Sequence, residues 1–118
     1  LAEFRISGNC RIRVRAYGNV TFNGKAKFYC DQNYFTSNTN DRIHISRFSP
    51  SSATFNDSTF FYLTGNNYND IQVAYDAGAS ATFNGPTAIY RLNNSNNESI
   101  FTFGENGGTI NFNHNVHL

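Results

Sequence analysis

Tryptophan and methionine are missing from this chain, proline and cysteine occur twice each, and charged residues fill only 14% of its 118 positions. Globular domains average roughly 25% charged residues, so surface polarity here has to come from uncharged side chains. A net charge of +1 supplies no overall field to hold nucleic acid, and no nucleic-acid partner is expected. Apolar runs fall far short of the roughly 20 residues that cross a bilayer, so no membrane span is expected. No window carries a sustained apolar period of 3.6 residues, which argues against helices. Cys10 and Cys30 cannot make a metal site without two further good ligands nearby. In an exported protein they would form one disulfide, the pairing expected here, with two free thiols as the alternative.

Asparagine fills the gap left by charge, with 19 copies, beside 12 Phe and 7 Tyr. Stacked Asn side chains can bond to one another, whereas stacked like charges repel. The length suits one domain with one aromatic core. Residues 1–118 are therefore read as a single unit.

A repeat organises these residues. Thr21-Phe22-Asn23, Thr54-Phe55-Asn56 and Thr82-Phe83-Asn84 share a triplet, and Asn111-Phe112-Asn113 is a near-copy. The phenylalanines are 33, 28 and 29 residues apart. Ile43, Ile71 and Ile100 each precede a triplet Phe by 12 residues, and Ile12 does so by 10. Self-similarity at this period marks one supersecondary unit stacked on copies of itself. Around each triplet, even offsets from Phe are mostly apolar and odd offsets mostly polar, as in a strand buried on one face. After the triplet come Asn-Gly, Asn-Asp or Asn-Gly, residues that make corners. The expected fold is an all-β solenoid of about four coils of about 29 residues, with three short strands per coil. A β-sandwich is the alternative, since short strands with frequent turns read that way too. The expected core ladder is Ile12, Ile43, Ile71 and Ile100 with Phe22, Phe55, Phe83 and Phe112. Asn23, Asn56, Asn84 and Asn113 form the expected corner ladder.

Asn at corners, Phe and Ile inside and Thr outside resemble the right-handed β-helices of secreted bacterial surface adhesins and fibre proteins, with phage tail-spike helices next. The resemblance runs from Cys10 to Leu118 and is one of pattern, without a diagnostic motif. It implies a secreted or cell-surface location.

Chemistry-bearing constellations are sparse. His114 and His117 fall on opposite faces of a strand at a spacing of three. The eight carboxylates are scattered; Asp41 and Asp70 occupy matching positions but are ordinary turn residues. No catalytic residue, metal or cofactor is expected, and no enzyme activity. Arg11, Arg13 and Arg15 alternate along one strand, and Tyr29, Tyr62 and Tyr90 recur in phase. These two rows are the candidate ligand face for a glycan or another polyanion. Asn19, Asn56, Asn93 and Asn97 lie in Asn-x-Ser/Thr sequons.

Charge is unevenly spread along the chain. Residues 1–50 carry eight Lys or Arg and three acids, a balance of +5, while residues 51–118 carry one Arg and five acids, a balance of −4. In a solenoid, sequence position is height, so one end is expected to be basic and the other acidic. The first residue is not Met and the last copy of the repeat lies at the last residues. Both are read as a removed leader, a fragment of a longer helix, or one subunit of a longer stack. The expected function is therefore a structural protein, a fibre or matrix-filament subunit or adhesin stalk. It would assemble head to tail with itself, or continue into neighbouring coils, by β-pairing at coil ends. A glycan- or polyanion-binding module of adhesin or tail-fibre type is the alternative.

Overall fold

The computed structural model describes residues 1–6, 11–14, 18–30, 41–63, 69–91 and 100–118. Among them are strands and turns and no helix. Sheet A contains β1 (Ala2–Ile6), β4 (Ala26–Cys30), β7 (Thr59–Leu63), β10 (Thr87–Arg91) and β13 (Val116–His117), in that spatial order. Sheet B is β2 (Arg11–Val14), β5 (Asp41–Ile45), β8 (Asn69–Val73) and β11 (Ile100–Phe103). Sheet C is β3 (Asn19–Phe22), β6 (Ser51–Phe55), β9 (Ala79–Phe83) and β12 (Thr109–Phe112). Along the chain the strands visit B, C and A in turn, and every strand pairing is parallel and in register. This is a β-solenoid. A sandwich would pair its strands antiparallel, so that alternative is excluded.

The alternation of side chains decides which face is inside. In β6, β7 and β9 every second residue is buried and those between are half-buried. Like residues then meet along the axis. Phe22, Phe55, Phe83 and Phe112 stack with ring centroids 4.7, 4.6 and 5.0 Å apart, close to the strand spacing itself. Phe28 and Phe61 stack at 5.2 Å on the next wall and meet the first column edge-on. Ile43 and Ile71 are in register and fully buried, and Ile12 faces Ile43 in the strand register. Cys30 is likewise buried, opposite Leu63. Its expected disulfide partner Cys10, like Arg15 and the sequons at Asn93 and Asn97, lies outside the described residues.

Two kinds of corner turn the chain between walls. In the three described corners from sheet B to sheet C the first residue is left-handed: Ser46 at φ 51°, Ala74 at φ 48° and Gly104 at φ 62°. Ala74 N–H donates to Ile45 C=O at 2.9 Å and Gly104 N–H to Val73 C=O at 3.0 Å, which locks these corners on one another. From sheet C to sheet A the corner is asparagine. Asn56 Nδ2 donates to Asn23 Oδ1 at 3.0 Å, Asn84 to Asn56 at 2.9 Å, and Asn113 to Asn84 at 2.8 Å. The backbone repeats the pattern, with Asn56, Asn84 and Asn113 N–H groups bonded to Phe22, Phe55 and Phe83 carbonyls at 2.8–2.9 Å. Each such bond adds about 1 kcal/mol net.

One ladder member differs from the expected set. Phe101, rather than Ile100, stands opposite Ile71, and Phe103 stands opposite Val73; Ile100 is in register with Asp70. The corner after β11 is one residue shorter than the one after β8. Phe103 to Gly108 spans the step that Val73 to Ala79 makes one stage earlier. Gly104 and Gly107, at φ 62° and 87°, make the tighter path available, because glycine carries no Cβ penalty there.

Candidate functional site

On the outer face of sheet A, alternation brings Tyr29, Tyr62 and Tyr90 into one column. Their rings stack at 4.5 and 4.9 Å, tilted by 7° and 8°. Tyr90 is 48% exposed at the end of the column. Phe60 lies beside Tyr62 with centroids 6.5 Å apart, and Lys25 Nζ sits 5.9 Å from the Phe60 centroid. The result is an aromatic strip with a cation at its border, in which the ring faces pack on one another and the ring edges point outward.

Burial pushes the Tyr62 phenol above its ordinary value, reinforced by the neighbouring Tyr29. A raised phenol favours the neutral form in the folded state. Its contribution to stability is complete below about pH 10, the ordinary tyrosine value, and is lost as pH rises through the higher folded value. A difference titration at the phenolate absorbance between the parent and Tyr62→Phe is expected to place the missing transition above the ordinary range. A transition at or below that range contradicts the packing described for this column.

The arginine row occupies a different wall. Arg11 and Arg13 lie in β2 of sheet B, in register with Arg42 and His44. The two halves of the expected ligand face therefore sit on separate sheets. Sheet B is also not open where sequence parity points outward, because His44 is fully buried and Gln72 nearly so. Arg47 closes over this spot: its Nη1 lies 3.3 and 3.4 Å from the two ring nitrogens of His44. The same guanidinium sits 5.2 Å from the Tyr75 centroid and 5.0 Å from that of Phe48. No repeat position announced this closure. His114 and His117 are exposed, the first in a corner and the second in β13.

Asp57, just past an Asn corner, accepts from Ser58 N–H at 2.6 Å and Ser58 Oγ at 3.2 Å. Those bonds hold its carboxyl below the usual value. They brace a turn and favour the ionised carboxylate. Among the described residues no group of three or more His, Cys, Asp or Glu side chains is placed to hold a metal ion. No helix there is long and apolar enough to cross a membrane.

The third feature is the end of the coil itself. Beyond Phe83 the core opens into an apolar hollow of about 670 Å³ lined by Ile89, Arg91, Phe103, Phe112, Val116 and Leu118. Phe112 and Val116 are each 38% exposed and Leu118 is 97% exposed. At the other end Leu1, Thr21, Phe22, Asn23 and Gly24 line a second hollow of about 310 Å³. No family model, curated protein or solved structure matches the chain. Among the described residues, each end of the stack presents parallel strand edges, and an unpaired edge can pair with another strand.

Proposed function

We propose that the chain is a secreted, non-enzymatic structural protein, a subunit of an extracellular fibre, matrix filament or adhesin stalk that assembles head to tail through its coil ends. The observation that carries this reading is the polarity of the asparagine ladder. Every step donates in one direction, so the ladder runs from a donor, Asn23 Nδ2, to an acceptor, Asn113 Oδ1. A second copy stacked head to tail continues it; a head-to-head contact sets donor against donor. Charge supports the same polarity, with +5 over residues 1–50 and −4 over residues 51–118. A contact between two different ends that repeats along one axis does not close on itself and therefore propagates. The likeness to adhesin and fibre β-helices noted above points the same way.

Light scattering over a concentration series, followed by negative-stain microscopy, tests this. Unbranched filaments above a threshold concentration are expected, and monomers at every concentration refute it. The stacked Tyr29, Tyr62 and Tyr90 column favours glycan binding as a second reading. Salt-sensitive binding on a glycan array, lost in Tyr62→Ala, would decide for it.

A further inference from the structure

Phenol rings held against one another share a reactivity that a lone tyrosine lacks: two of them can be joined by oxidation. Tyr29, Tyr62 and Tyr90 occupy one register position on β4, β7 and β10. The Tyr29 and Tyr62 rings are 4.5 Å apart and 7° from parallel, closer than Tyr62 and Tyr90 at 4.9 Å. Tyr29 and Tyr62 are half-buried. Their faces pack together, and the outer edge of each ring carries the phenol oxygen with a Cε carbon on either side. Those are the atoms over which the unpaired electron of an oxidised phenol is shared.

We propose that Tyr29 and Tyr62 form an oxidative cross-linking site, at which a peroxidase-type oxidant driven by hydrogen peroxide joins the two rings as dityrosine and staples β4 to β7. Each phenol gives up one electron and one proton and becomes a phenoxyl radical. A Cε of Tyr29 and a Cε of Tyr62 then pair their electrons in a new carbon–carbon bond. The hydrogen on each joined carbon leaves as a proton while the oxygen of that ring takes one up, so both rings return to aromatic phenols. The two electrons and two protons released at the start reduce one hydrogen peroxide to two waters. Geometry favours this pair because coupling needs two ring carbons to meet. Parallel strands about 4.8 Å apart hold the rings side by side before any oxidation, which removes the cost of bringing them together. β4 and β7 pair through five residues each, Ala26 to Cys30 against Thr59 to Leu63, with the tyrosines inside that run. Tyr75 is placed differently, in the corner after β8 with its ring 5.2 Å from the Arg47 guanidinium. The site lies within one copy, so it stands whether or not copies assemble.

Treating the dilute protein with a haem peroxidase and hydrogen peroxide tests the site, with dityrosine fluorescence read on the monomer band of a reducing, denaturing gel. The parent is expected to show the signal in that band. Tyr62→Phe should return it to the level seen without peroxide, and Tyr29→Phe should lower it by more than half. Tyr75→Phe should leave it unchanged. Each variant keeps its ring and loses only a hydroxyl, so the column stays packed and the comparison reads chemistry rather than folding. An undiminished signal in Tyr62→Phe overturns the site. An undiminished signal in Tyr29→Phe places the bond on another tyrosine and overturns the pair. Fluorescence confined to bands above the monomer, or absent from every band, overturns the proposal as well. None of these outcomes bears on the head-to-tail reading, which light scattering of the untreated protein tests separately.

Discussion

Phe83→Ala is expected to destabilise the fold by about 3–5 kcal/mol, the usual range for removing a fully buried ring. Phe83 is fully buried and touches four other rings. It stacks on Phe55 at 4.6 Å and Phe112 at 5.0 Å, and meets Phe61 and Phe103 edge-on at 6.1 and 5.9 Å. Domains of this size hold only about 5–15 kcal/mol in total, so the loss is a large share of the whole. Repeat architectures couple each unit only to its neighbours, and Phe83 joins the strands on either side of it. Urea unfolding should therefore show a lower midpoint and a broader transition. Phe112→Ala, at the open end and 38% exposed, should cost less than half as much. Equal losses at the two positions would mean that the rings do not form the graded column described here.

Gly108→Ala is expected to cost above about 3 kcal/mol, at the upper end for a point substitution. The position is determined by backbone approach. A Cβ there would lie 1.6 Å from the Ala74 carbonyl oxygen and 2.6 Å from its carbon. That carbonyl cannot step aside freely, because Ala74 is held at φ 48° with its N–H bonded to Ile45 C=O at 2.9 Å. Gly24 is the control, with no atom within 4 Å of the place a methyl group would take. Gly24→Ala should be neutral or stabilise by about 0.4–1 kcal/mol through the unfolded chain. Thermal unfolding of both variants checks the pair. A Gly108→Ala midpoint within a few degrees of the parent would rule out the close stacking of corners.

The pitch of the fold was legible because the walls are ladders. Phe and Asn recur at matching positions, and a parallel, in-register stack is the arrangement that brings such positions together. The Asn corners and the Tyr column follow from the same phase. The slip in the last copy was harder to read. Ile100 continues the spacing of Ile43 and Ile71, but alternation from Phe101 to Phe103 matches Ile71 to Val73 equally well. A shortened glycine corner chose between them, and spacing counts carry no information about corner length. The Arg47 closure over His44 was invisible for another reason. Strand parity predicts which way a residue points, not whether a neighbouring corner folds back over it. Likewise the separation of Arg11 and Arg13 from the tyrosines depends on which wall each strand joins.

Strands that stack along one axis, in a stack that continues from copy to copy, leave two signatures in one pattern. X-ray diffraction from an oriented concentrated sample reads both at once. A meridional reflection near 4.8 Å is expected from the strand spacing, with a longer axial subunit repeat if copies stack head to tail. An oriented sample with no axial order near 4.8 Å would contradict the stacked architecture and the assembly together.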